Sequence, residues 1–163
     1  MKKFLYFVLT GTLLLSGCLT TAPKTGYTQD ARQSFLNSEA LIGVCRSLQF
    51  TLGNGRILTA SINDDQAANL VGGGGVEIVV PAGQQKVKVT ISGLVVDVGQ
   101  METSFNAAPS SSSYFVVGAD TNYLITDRKF GTTESFSWRL RRVSASEFSK
   151  ACPEKSIRIR KSN

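Results

Sequence analysis

Two kinds of apolar pattern divide the chain. Residues 4–15 are apolar or small throughout, a run of twelve with no charge directly after Met1-Lys2-Lys3. From residue 47 onward, apolar positions recur every second residue, in short stretches separated by Gly, Pro, Asn and Ser. The first run is too short for a permanent membrane-spanning helix, which needs about 20 residues, and it has the length and basic flank of a signal-peptide core. The second pattern is that of half-buried strands.

Several stretches carry the strand period. Leu48, Phe50 and Leu52 alternate with Ser47, Gln49 and Thr51; Gly53-Asn54-Gly55 is turn chemistry, and residues 56–63 read as the returning strand. Beyond the polar Asp64-Asp65-Gln66 stretch, Val76, Ile78 and Val80 share one face. Val87, Val89 and Ile91 then face inward while Lys86, Lys88 and Thr90 face water. Pro81-Ala82-Gly83 marks the bend between those two strands, where Pro damages no ladder. Further strands are expected at 94–98, 114–117, 123–126, 135–142 and 156–160, with a Ser-rich surface loop at 106–113. Residues 30–42 carry Phe35, Leu36, Ala40 and Leu41 at loosely helical spacing, with Thr28 as a candidate cap, so a short N-terminal helix is expected there. One helical turn is expected at 146–151. Eight or nine short strands with frequent turns and no βαβ units predict a mainly β fold: a single antiparallel β-sandwich, or a partly open barrel.

The apolar run ends in Leu15-Ser16-Gly17-Cys18. This resembles the lipobox of bacterial lipoproteins, in which two small residues precede the cysteine. The resemblance implies that residues 1–17 are removed, that the Cys18 sulfur carries a diacylglycerol, and that the new amine is acylated. Leu19 stands where inner-membrane lipoproteins often carry Asp, so the resemblance implies a periplasm-facing anchor in the outer membrane. Residues 18–29 read as the lipidated N-terminus and a flexible tether whose residues 19–29 reach at most about 36 Å, and residues 30–163 as the domain.

Without residues 1–17 the chain has 146 residues, enough for one domain with a real core. Sixteen Lys and Arg then stand against twelve Asp and Glu, a net charge of +4 that is too modest for a nucleic-acid binder. Cys45 and Cys152 remain, an even pair that in an exported chain reads as a disulfide, with two free buried thiols as the alternative. Two lone cysteines and no histidine make a poor metal site.

Residues 61–89, from Ser61-Ile62-Asn63-Asp64 through Leu70-Val71-Gly72 to Val80-Pro81-Ala82-Gly83 and Val87-Lys88-Val89, resemble a PEGA-type β-sandwich module. The resemblance implies a sandwich and transfers no catalytic residue, because the motif is structural.

The chemistry sought is mostly not found. The absence of histidine excludes Ser-His-Asp and Cys-His machinery. Gly72–Gly75 lacks the Lys-Ser/Thr ending of a phosphate loop and reads as a mobile turn. Asp64 and Asp65 lack calcium-loop spacing and read as solvated turn acids; Asp120, Asp127 and Glu134 are scattered. Trp138 alternates in phase with Phe136 and Leu140 and reads as core. Arg139 and Arg141 fall on the polar face of one strand and Arg158 and Arg160 on that of another, with Arg142, Lys155 and Lys161 close by in sequence. If the two strands are neighbours, their faces merge into a surface for anionic head groups or an acidic partner; otherwise the charges only keep a sheet face soluble. The expectation is a non-enzymatic, cofactor-free and metal-free lipoprotein that binds or braces an envelope or secretion-assembly component, with no nucleic-acid partner. The alternative is an envelope hydrolase that acts on glycans with a carboxylate pair drawn from distant strands.

Overall fold

The computed structural model describes residues 26–30, 35–48, 57–92, 97–120, 137–153 and 156–161. Ten strands and one helix follow one another: β1 (Tyr27–Gln29), β2 (Glu39–Arg46), β3 (Ile57–Ile62), β4 (Asp65–Leu70), β5 (Gly75–Pro81), β6 (Gly83–Ser92), β7 (Asp97–Ala107), β8 (Ser112–Asp120), β9 (Ser137–Val143), α1 (Ala145–Ala151) and β10 (Ile157–Lys161). They form two sheets, in the orders β1-β10-β5-β2-β8-β9 and β4-β3-β6-β7. The two pack face to face as a sandwich, not a barrel.

Alternation builds the core. Ala40, Ile42 and Val44 of β2, Val76, Ile78 and Val80 of β5, and Phe115 and Val117 of β8 point inward from the larger sheet. Leu58, Ala60 and Ile62 of β3 and Val87, Val89 and Ile91 of β6 meet them from the smaller one. Each fully buried Val, Leu or Ile contributes about 1.5–3 kcal/mol of transfer free energy, so these rows dominate the stability. The expected inward and outward faces of β6 are those observed: Val87, Val89 and Ile91 are buried, and Lys86 and Lys88 face out.

Three pieces of local chemistry route the chain between strands. Asn63 and Asp64 both adopt left-handed φ (50° and 68°), the mark of a type I′ hairpin turn between β3 and β4. The Asn63 side chain accepts from the Lys86 N–H at 2.8 Å and donates to Gln85 Oε1 at 3.0 Å, stitching that turn to β6. At Pro81-Ala82-Gly83 the chain crosses from one sheet to the other, and Gly83 takes φ +125°, open to glycine at no steric cost. The run from Gly72 to Gly75 is not the mobile turn expected. Gly73 and Gly74 are buried, the Gly73 N–H donates to the Arg46 carbonyl, and the Arg46 N–H donates to the Gly74 carbonyl.

The six-stranded sheet is mixed, with β10–β5 and β2–β8 parallel, where a wholly antiparallel sandwich was expected. The expected helix at 30–42 is also corrected. Thr28 lies in β1, which takes over the end of the supposed tether, and residues 39–42 open β2; residues 31–34 lie outside the described set. The cause is position. Strand β2 runs between β5 and β8 with both faces covered, so its apolar residues do not alternate with polar ones and the period is hidden. The strand read at 47–52 ends before it starts: Ser47 has left the sheet and Leu48 sits exposed in a turn. Strands β4 and most of β7 were missed because Asp65, Gln66 and Asn69, and then Gln100 to Asn106, are too polar to read as strand. The loop expected at 106–113 narrows to a turn at 108–111. Cys18, the signal segment, the Gly53-Asn54-Gly55 turn and the strand read at 123–126 lie outside the described residues.

The one helix among the described residues stands where one turn was expected, before Cys152, and it rests on the outer face of the larger sheet. Cys45, at the end of β2, is bonded to Cys152, the C-cap of α1, with their Cα atoms 6.4 Å apart and a sequence separation of 107. Around that bond, Val116 and Phe148 form a second small core with Tyr114, Val143 and Ala151. Closing a loop of this size removes about 4.7 kcal/mol of unfolded-state entropy in the chain-entropy model. Replacing both Cys45 and Cys152 by Ala is therefore expected to lower the urea-unfolding free energy by several kcal/mol. Two thiols open to alkylation in the native, non-reduced protein would contradict the pairing.

Candidate functional site

One cross-strand row on the outer face defines the candidate site. Reading across β10, β5, β2, β8 and β9, the directly opposed residues are Arg158, Glu77, Gly43, Tyr114 and Val143. Gly43 stands in the middle and has no side chain, so the sheet is indented between Glu77 on one side and Tyr114 on the other. The indentation is occupied from the Tyr114 side. A Cβ built on Gly43 would lie 2.5 Å from Tyr114 Cδ1, closer than packed atoms tolerate, and a tight 3.1 Å from Phe148 Cζ. Gly43 is thus the position that admits the tilted Tyr114–Phe148 pair, whose ring centroids are 4.9 Å apart.

Helix α1 supplies the opposite wall. A helix of seven residues is not stable alone. Three restraints hold this one: buried Phe148, the Cys45–Cys152 bond, and a capping box at its N-terminus. The Ser144 hydroxyl accepts from the Glu147 N–H at 3.2 Å, and the Glu147 carboxylate accepts from the Ser144 N–H at 3.0 Å. Those bonds, from the Ser144 backbone first and its hydroxyl second, hold the Glu147 carboxyl below its ordinary pKa. Between helix and sheet lies an open groove of about 340 Å³, lined by Glu77, Tyr114, Phe148, Ser149, Pro153 and Ser156 among others. On its far side a Cβ at Gly75 would lie 2.7 Å from both Cys45 Cβ and Ser156 Oγ, so a second glycine is needed where the disulfide and the start of β10 converge.

The groove offers an aromatic wall and one charged corner. Arg158 donates through Nε (3.0 Å) and Nη2 (2.7 Å) to Glu77 Oε2, and both side chains are about one-fifth exposed. A fork of this kind fixes both groups in orientation. Glu77 is the one carboxylate among the described lining residues, so the groove presents a hydrogen-bonded ion pair where the hydrolase reading requires two opposed carboxyls.

The four arginines do not merge into one patch. They share the outer face of the six-stranded sheet, but β9 and β10 are separated by β8, β2 and β5, roughly 19 Å at the usual strand spacing. Each set also meets acids: Arg158 joins Glu77, Arg160 joins Asp30 at 3.0 Å and Glu39, and Arg141 reaches Glu147 at 3.6 Å. Lys161 is paired with Asp65. Arg142 belongs to the other face: it sits over the Phe105 ring at 5.3 Å and donates to Ser113 Oγ.

Asp64 stands in the turn between β3 and β4 as expected, whereas Asp65 opens β4, and each is paired with lysine where only solvation was expected. Bonds from Lys86 and then Lys88 hold the Asp64 carboxyl below its ordinary pKa. No group of three or more His, Cys, Asp or Glu that suits a metal exists among the described residues. Trp138 packs against the main core. Gly43, Glu77, Tyr114 and Phe148 were not singled out from sequence. Gly43 carried a legible signal, because an isolated glycine in a strand marks close approach by a neighbour.

Two outcomes follow from this geometry. Gly43→Ala displaces the Tyr114–Phe148 pair and is expected to cost about 1–3 kcal/mol, as overpacking does, with a lowered melting temperature and a changed aromatic near-UV circular dichroism spectrum. Ser144→Ala is expected to cost about 1 kcal/mol through the lost cap. Because the folded-state pKa of Glu147 is depressed, its contribution is present above the unfolded pKa and disappears as pH falls through the folded one. Glu147→Gln, which removes the titrating carboxylate, should therefore flatten the acid limb of a melting-temperature series against pH; an unchanged limb would show that the box does not hold α1. Compared with protein-family models, with curated proteins and with solved structures, the chain matches none of them.

Proposed function

We propose that this protein is a lipid-anchored, non-enzymatic component of a bacterial outer membrane that faces the periplasm and binds or braces another envelope component. The observation that carries this reading is the Cys45–Cys152 disulfide in a chain that begins with Leu15-Ser16-Gly17-Cys18 behind a short apolar run. Structural disulfides belong to oxidising compartments, and the lipobox-like sequence supplies both the route there and a reason to remain at a membrane. Strand β1 starts at Tyr27, nine residues after Cys18, so the tether spans at most about 30 Å and keeps the sandwich close to the bilayer.

The groove beside α1 supports a binding role over catalysis. Tyr114 and Pro153 present apolar surface, with Phe148 buried behind them, and Glu77 is already engaged by Arg158. The PEGA-like stretch from Ser61 to Val89 runs from the end of β3 into β6 and contributes turns and core strands, which suits a scaffold.

The test is the mature N-terminus. The wild-type protein is expected in the membrane fraction, with an N-terminal peptide that starts at Cys18 and carries a thioether-linked diacylglycerol and an N-acyl chain. Cys18→Ser should accumulate as an unlipidated precursor. Each buried methylene contributes about 0.8 kcal/mol, so multiple acylation makes the anchor effectively permanent. An unmodified wild-type N-terminus, or one at another residue, would overturn the proposal.

A further inference from the structure

Three of the four sheet edges are guarded against pairing with another chain. Strand β1 is only three residues long. Strand β4 is short, opens with Asp65, and loses register against β3 between Ala60 and Ser61. Strand β9 carries Arg139 and Arg141 outward and turns Arg142 inward over Phe105. Short length, bulges and inward-pointing charge are the devices that blunt an edge. The outer edge of β7 has none of them between Gly99 and Ala107. Across those nine residues it pairs with β6 without a register break, and its only charged residue is Glu102. Among the described residues no strand pairs with its other side.

The side chains of this edge match a second copy of themselves. Met101 and Phe105 face inward and pack against the main core, while Gln100, Glu102, Ser104 and Asn106 are exposed on the outer face. Run antiparallel to itself about Thr103, the strand sets Met101 against Phe105 of the second copy on the inner face. Glu102 then lies against Ser104, and Gln100 against Asn106, on the outer one. Thr103 is also the midpoint of the unbroken span from Gly99 to Ala107, so the register of greatest overlap is the one with these matches. Centring one residue earlier sets Glu102 against Glu102, a like-charge pair that destabilises. A two-fold axis perpendicular to the sheet keeps both inner faces on the same side, as a continuous sheet requires.

We infer that β7 is a self-association edge, through which two copies join their four-stranded sheets into one of eight strands in the register centred on Thr103. Ladder hydrogen bonds supply the affinity of such a joint, and the facing side chains supply its register. The arginines of β9 keep the six-stranded sheets from fusing beside it. This inference does not depend on the lipid anchor.

The test uses the purified protein in detergent, with sedimentation equilibrium as the readout. The wild type is expected to show a reversible monomer–dimer equilibrium. Ser104 is exposed on the outer face, so its substitution leaves the core intact. In the Thr103 register, Ser104→Lys faces Glu102 of the second copy twice per dimer and should tighten association, whereas Ser104→Glu creates two like-charge pairs and should weaken it. Each change is expected to be about tenfold. A centre at Ser104 would set the introduced lysines against each other, so weakening by Ser104→Lys overturns the register. A wild type that stays monomeric at the highest concentration reached, or a dimer indifferent to both variants, overturns the inference itself.

Discussion

Everything about this fold turns on covering the outer face of β2 and its neighbours. In a sandwich of two sheets the inner faces cover each other, and the outer faces are ordinarily left to solvent and polar side chains. Here the outer face of β2 carries Leu41, Gly43 and Cys45, and Val116 follows on β8; apart from glycine these are apolar and buried. Seven residues of helix close that face at its Cys45 end, and the bond from Cys45 to Cys152 holds the helix in place. The disulfide is thus more than a staple between distant parts of the chain. It allows a helix too short to persist alone to serve as the lid of a second core.

Two glycines make that closure sterically possible. Gly43 lets the Tyr114 and Phe148 rings close over the sheet, and Gly75 lets the disulfide and Ser156 meet across β5. The four-glycine run, which has no place in phosphate chemistry here, is explained by the same crowding: its middle is buried against the end of β2, and its last member sits under the disulfide. Both the groove and its walls follow from the absence of side chains at positions where the period of two would otherwise place them.

Charge is arranged around this centre. Arginines that sequence alone places on polar faces are distributed across the sheet and joined to Glu77, Asp30, Glu39 and Glu147. The Glu77–Arg158 pair is partly screened from water, so each partner would be costly to leave alone, and it fixes the wall of the groove. On β9 the same residue type protects an edge, with Arg142 held over Phe105 by ring contact and by its bond to Ser113. Strand β7 lacks that protection, which leaves it the most pairing-competent edge of the described sandwich.

Period and turn chemistry read from sequence were sufficient for the mainly β class, the inward rows of β5 and β6, the bend at Pro81, the alternation of β9 and β10, and the single helical turn before Cys152. An even count of two cysteines beyond the first eighteen residues was sufficient to suggest the pairing of Cys45 with Cys152. Each of these is local, or depends only on counting. Strand β2 was illegible because a strand buried on both faces shows no alternation, and β7 because an edge strand tolerates polar residues on much of its surface. The groove was illegible for a different reason. Glu77, Gly43 and Tyr114 are distant in sequence and become neighbours only through strand order, as Arg139 and Arg158 become remote through it. Local sequence sets which way a side chain points along its own strand; which strands lie side by side is decided by how the two sheets and the helix together bury the most apolar surface.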